Sequence, residues 1–368
     1  MKNKNKLLTK CITGLVLSVT ALASAAYTDT NNSQGQNCSA ARTQAQSGTI
    51  FPDLLTSYAA ISGGALNIAG ESVVDRDLAA KAAVVIGAGS YANSQNIYAG
   101  AAVTIGAQAT VKDIVAGAAA TIGGGATTGN IHTGAAITLG AFSNAKDIYA
   151  GSAITYGAGA KFHSEQGSAD LLNSSCGIIQ NPNDLTNALV AIKLAQTELT
   201  KLKNKPASEA LSTVIGGTVT FRPGLYDGTA LTIDAGSTIY FDSSESTSPN
   251  NVWVINLSQA LSVGGSSTFK IIKNPNNKDS TYTIIWNVTA ALNLGAGTSF
   301  IGTALVDGAV NAATASVSCG HLYAKGIVSV GSIGKPKEPG QQSKDLCGNP
   351  ADLKRLRDII DEQRIRAK

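Results

Sequence analysis

The sequence predicts an all-β chain wound as a β-solenoid (β-helix), with three short sides per coil, right-handed winding and one long α-helix packed alongside. Three observations carry this. First, a short unit repeats at one fixed interval, marked by Gly100, Gly117, Gly134 and Gly151. Second, each repeat alternates β-branched and small residues with period two and ends on Gly, the pattern of a short strand and a corner. Third, one apolar stripe of helical period interrupts the repeats between Pro182 and Pro206. So short a repeat cannot hold a helix pair, so stacking of coils must bury the core.

The N-terminus reads as a secretory signal over residues 1–25. Lys2, Lys4, Lys6 and Lys10 precede the apolar run Cys11 to Ala23, and Ala23-Ser24-Ala25 is a small-residue cleavage site. The run is short for a membrane span, with Lys10 on its edge, and a retained anchor is the alternative to cleavage; no other stretch of the chain could cross a bilayer. The mature protein is therefore expected outside the cell or in a periplasm. The whole chain carries a formal net charge of +4. Removing the signal removes four lysines and no acid, which leaves 24 basic against 24 acidic residues. No general field for nucleic acid or acidic lipid remains. Charged residues are only 14% of the chain, against roughly 25% in an ordinary domain. Four cysteines survive cleavage, and an even number in a secreted chain argues for two disulfides. Of three possible pairings, Cys38–Cys176 and Cys319–Cys347 are favoured because each brackets one half of the chain.

Residues 26–56 are assigned to an N-terminal capping segment, and 57–335 to the solenoid. The register is clearest at Ile97, Ile114, Ile131 and Ile148, at Gly100, Gly117, Gly134 and Gly151, and at Thr104, Thr121, Thr138 and Thr155. Ala65 to Gly70 and Ala83 to Gly87 are looser copies. A left-handed hexapeptide helix is the nearest alternative, but it calls for about 18 residues per coil, one more than this interval. An inserted helix is predicted over 183–203, with Leu185, Leu189, Ile192, Leu199 and Leu202 on one face. Strands resume near residue 211. The segments 230–233, 260–264, 291–295 and 327–331 repeat the earlier strand, with further strands such as 238–241 and 252–257 between them. Both halves read as one architecture. Residues 336–368 form a linker and a charged helix, read equally as a cap or as an interaction tail.

Over 218–334 the residues resemble the microbial ice-binding proteins with a discontinuous β-solenoid and a helix alongside. Pro223-Gly224-Leu225-Tyr226 is similar to that family's P-G-V-Y. Val252-Trp253-Val254-Ile255 is similar to its V-F-I-F strand. Trp286-Asn287-Val288, Leu294-Gly295, Phe300 and Gly302-Thr303-Ala304-Leu305 resemble its W-x-V…L-G…F-x-G-x-x-L run. Gly320-His321-Leu322-Tyr323-Ala324 and Gly326-Ile327-Val328-Ser329-Val330 resemble its ending, with His321 where the family has Arg. The resemblance implies the fold more firmly than the activity.

Alternation places Ile105, Ile122 and Leu139 inward. It places Ala102/Thr104, Ala119/Thr121, Ala136/Thr138 and Ala153/Thr155 outward. Rungs would stack at about 4.8 Å, with residues i and i+2 about 6.7 Å apart. Such a flat, uncharged grid of methyls and hydroxyls suits an ice surface, and these eight residues are the candidate binding site. Thr232, Ser262, Asn293 and Ser329 extend the column. Thr on a solvated strand is also simply a good strand residue, so the plain structural reading stands beside the functional one. A second outward column, Asn96, Asp113, Asn130 and Asp147, reads as a structural ladder rather than a calcium site. A third, Tyr98, Val115, His132 and Tyr149, reads as surface decoration or a sugar-stacking strip. His132, His163 and His321 lie in no nucleophile motif, and Asp75-Arg76-Asp77 is a weak cluster, so no catalysis, cofactor or metal is expected. The expected partner is an ice crystal surface. The alternative is an adhesive or structural solenoid that binds a cell-surface polymer or polysaccharide.

Overall fold

Alternating apolar residues wind the chain into coils with three sides. A computed structural model describes residues 58–92, 96–165, 182–201, 208–276, 280–313 and 317–333. The expected signal, capping segment and C-terminal linker and helix lie outside them, as do Cys38, Cys176 and Cys347 and with them both expected disulfides.

One side is a twelve-stranded parallel sheet of short rungs. In spatial order these are Ile154–Tyr156, Ile137–Leu139, Ala120–Ile122, Val103–Ile105, Val84–Ile86, Leu66–Ile68, Val328–Val330, Val310–Ala312, Leu292–Leu294, Leu261–Val263, Leu231–Ile233 and Val214–Ile215. The other two sides belong to one nineteen-stranded sheet. They merge because a long strand such as Ser299–Val306 bends from one to the other: Ser299 pairs with Thr268, and Thr303 with Ile285.

The rung order gives the chain path. The described chain begins in the middle of the stack, winds out to one end at Ile154–Tyr156, and returns through the helix. It then restarts at the far end near Val214 and winds back to the middle. There the last coil closes on the first along all three sides, through Asn67↔Ser329, Ile61↔Tyr323 and Val74↔Ile333. The stack is continuous, whereas the order of the chain within it is not.

The predicted column Ile97, Ile114, Ile131 and Ile148 is buried, each at most 1% exposed. Glycine marks the corners for a packing reason. A Cβ at Gly106, Gly123, Gly140 or Gly157 would collide with the backbone of the preceding coil. At the outer coil the inward positions turn aromatic. Tyr156 stacks on Phe162 with centroids 5.2 Å apart, closing the core where no further Ile rung follows.

The helix runs Pro182–Thr200, ending before the predicted 203. Pro182 is its first residue, where its missing N–H costs nothing. Leu185, Ala188, Ile192, Ala195 and Leu199 are buried at alternating spacings of three and four. They pack on Tyr58, Ile61, Ala79, Tyr98, Ile285 and Leu305. Leu189 is only half-buried, and Leu202 lies outside the described residues. The two alanines let the helix approach the sheet closely.

Candidate functional site

The short-rung side builds the candidate surface from one local pattern. In Val103–Ile105, Ala120–Ile122 and Ile137–Leu139 the outer two residues are buried and the central Thr is exposed. Thr104, Thr121, Thr138 and Thr155 sit directly opposite one another in parallel register. Their hydroxyls make no side-chain hydrogen bond among the described residues. Ala102, Ala119 and Ala136 are half-buried and Ala153 is exposed, one residue ahead of each strand. Their carbonyls accept the N–H groups of Val84, Val103, Ala120 and Ile137 at 2.9–3.0 Å. The alanines are thus held in the same ladder as the threonines.

The column continues across the chain seam, but its chemistry changes. Val85 and Asn67 follow Thr104, and then Ser329, Asn311, Asn293, Ser262 and Thr232. Here the side chains bind one another. Asn67 Nδ2 donates to Ser329 Oγ at 3.1 Å, Asn311 Nδ2 to Asn293 Oδ1 at 3.1 Å, and Asn293 Nδ2 to Ser262 Oγ at 3.4 Å. The Ala position holds exposed Ile327 next to the seam.

The Asn/Asp column is a structural ladder. Asp77 Oδ1 accepts the Asn96 N–H at 2.8 Å, Asp113 Oδ1 the Asn130 N–H at 2.7 Å, and Asn130 Oδ1 the Asp147 N–H at 3.3 Å. Asp77, Asp113 and Asn130 each anchor the backbone of the next coil, whereas the Asn96 amide reaches back to Asp77 Oδ2 at 3.5 Å and the Asp147 carboxylate meets the side chains of His163 and Ser164. Hydrogen bonds from Ser164 and then His163 hold the Asp147 carboxyl below its usual range. His163, Asp147 and Ser164 are not arranged for nucleophilic attack, because the Ser164 hydroxyl donates to the carboxylate and not to an imidazole. Among the described residues no group of three acids, His or Cys could hold a metal ion.

The expected surface strip of Tyr98, Val115, His132 and Tyr149 is a correction. Tyr98 and Tyr149 are 5% and 6% exposed. Tyr98 lies in the cluster beneath the helix, and burial, then the Asp184 charge, pushes its phenol up. Tyr149 stacks on His132 at 4.7 Å. Asp75-Arg76-Asp77 also disperses: Asp75 is exposed, Arg76 reaches His321, and Asp77 serves the ladder.

A second hydroxyl column escaped sequence reasoning. Thr218, Thr238, Thr268 and Ser299 are in register on another side. The neighbouring outward column holds Thr220, Tyr240 and Lys270, so this surface is neither flat nor uncharged.

Known structures with similar features are distant. The ice-binding protein of an Antarctic ascomycete, Antarctomyces psychrotrophicus, is 15% identical, with 78% of this chain and 98% of that one covered and a TM-score of 0.44. An ice-binding protein from an Arctic yeast is 13% identical, with 78% and 95% covered and a TM-score of 0.43. The ice-binding protein 1 domain of Shewanella frigidimarina is 13% identical, with 76% and 93% covered and a TM-score of 0.43. No curated protein matches the chain. The family described as Ice-binding-like matches residues 114–333, which takes in three of the four threonine rungs, the helix and the whole returning half. The chain belongs to that family.

Proposed function

We propose that the protein is a secreted ice-binding protein that slows ice growth and recrystallisation through its Ala-x-Thr face, without catalysis or cofactor. The site is Ala102, Thr104, Ala119, Thr121, Ala136, Thr138, Ala153 and Thr155. The observation that carries this is the row of four threonines in register whose hydroxyls have no protein partner among the described residues. Ice offers a periodic array of oxygens and no net charge. A rigid grid with rungs about 4.8 Å apart matches such an array in kind. The methyls hold first-shell water in ordered arrangements, and the free hydroxyls anchor it. Family membership supports ice as the partner. Among the described residues no helix is long and apolar enough to cross a membrane, and the N-terminal signal pattern supports export. The Asn/Ser rungs beyond the seam extend the plane, but their polar groups already satisfy one another, so the threonine rungs dominate.

The test is to grow single ice crystals in a solution of the pure mature protein. Facetted crystals and slowed recrystallisation are expected. Round crystals at high protein concentration would sink the proposal and favour the adhesive or structural solenoid.

A further inference from the structure

We propose that the seam where the last coil closes on the first is an acid-sensitive latch, in which protonation of His321 releases strand Tyr58–Ser62 from strand Val317–Ala324. This goes beyond the ice reading and does not depend on it. His321 is 1% exposed. Its Nδ1 lies 2.7 Å from the Tyr58 carbonyl, so Nδ1 carries the proton and donates. Its Nε2 lies 2.8 Å from Arg76 Nη1, so Nε2 is the bare nitrogen and accepts. The ring is fixed as one neutral tautomer between the opening strand and the residue that enters strand Asp77–Ala80. A second proton can go only to Nε2. That would set N–H against N–H and put a second cation, on a buried ring, beside the half-exposed Arg76.

The charged and titratable groups facing this ring are few. No ion pair to Arg76 or His321 forms among the described residues. Asp75 sits beside Arg76, and partial desolvation of its carboxyl raises it. Asp77 turns to the Asn96 N–H, and its carboxyl is raised too. The Tyr323 hydroxyl lies 3.0 Å from Nδ1, and burial pushes it up, so it stays neutral in acid. Burial, then the Arg76 charge, pushes His321 down to about 3. The folded value lies below the unfolded one, so the opened chain takes the proton first. Closure is intact above about pH 6.5, and its equilibrium constant falls about tenfold per pH unit below that. Asp75 and Asp77 act with the opposite sign, and only nearer the carboxylate range. The latched coil runs on into the exposed face: Ser62 Oγ donates to the carbonyls of Ala65 and Gly326 at 2.9 and 2.8 Å. Opening would therefore break the outward column between Asn67 and Ser329.

The experiment follows unfolding of the parent, His321→Gln and His132→Gln from pH 7.5 to 5, with segment-resolved hydrogen exchange at pH 7 and 5. His132 is the control because burial lowers it as well, on a rung away from the seam. Both histidines feed the parent's loss of folding equilibrium below pH 6.5; His132→Gln should keep the fall of about tenfold per pH unit that the seam histidine supplies, and His321→Gln should keep only the part that His132 supplies. Exchange corrected for intrinsic rates should rise in 58–62 and 317–324 before it rises in 120–122. A flat parent profile, or an unchanged slope in His321→Gln, overturns the latch. If His321→Gln does not fold, exchange in the parent decides: acceleration spread evenly over both halves overturns it.

Discussion

The outgoing half of the solenoid is narrow and the returning half is wide, yet both lay the same three-residue strand on one face. In the outgoing half, Thr104, Thr121, Thr138 and Thr155 recur at one fixed, short interval over a core of Ile, Val and Ala. In the returning half, much longer stretches of chain separate Thr232, Ser262 and Asn293. That core is aromatic. Phe241 packs on Trp253 and Trp286, and Trp286 on Phe269 and Phe300. Each indole N–H finds a backbone carbonyl, Phe221 for Trp253 and Ile301 for Trp286, both at 3.0 Å. The coil interior can thus widen while the surface strand keeps its register. What differs at the surface is pairing: the hydroxyls of Thr104, Thr121, Thr138 and Thr155 are left open, whereas Asn67, Ser329, Asn311, Asn293 and Ser262 bind one another at and beyond the seam.

Substitutions at four positions test the difference between the two halves, in falling order of effect. Ile114→Asp puts an unpaired charge into the narrow core and should cost several kcal/mol, on the order of the whole folding stability. Thermal unfolding as stable as the parent would refute the register of the repeat. Trp286→Ala in the wide core should cost about 3–5 kcal/mol, from the cavity and the lost aromatic contacts. Denaturant titration measures it, and a loss under about 1 kcal/mol would mean the wide core repacks freely. Asp113→Ala removes the acceptor of the Asn130 N–H and should cost about 1 kcal/mol, while Asp113→Asn should recover most of it. Equal losses would show that charge, rather than hydrogen bonding, holds the ladder. Thr121→Tyr projects into solvent and should change stability by less than about 0.5 kcal/mol.

Legibility from sequence followed how local each cause is. The Ile column and the outward threonines were readable because stacking of identical coils makes register a property of the repeat. The helix stripe was readable in Leu185, Ile192 and Leu199. Ala188 and Ala195 were not, because alanine carries no apolar signal of its own. Burial of Tyr98 was hidden, since part of what covers it comes from a helix far later in the chain. Rung Val310–Ala312 was missed because no Gly closes its strand. The column Thr218, Thr238, Thr268 and Ser299 recurs at uneven intervals, so periodicity gave no hint of it. The seam was beyond reach of spacing alone, because a repeat says that coils stack and not which coil meets which.

Binding through the open hydroxyls of the narrow half is what the proposed function requires. It is tested most directly by comparing ice-recrystallisation inhibition of the parent with that of Thr121→Tyr, Asn293→Tyr and Thr268→Tyr at matched concentrations of folded protein. Thr121→Tyr should lose much of the activity, Asn293→Tyr on the paired rungs should lose less, and Thr268→Tyr on the other side should keep parental activity. Parental activity in Thr121→Tyr, with loss in either of the other two, would contradict it.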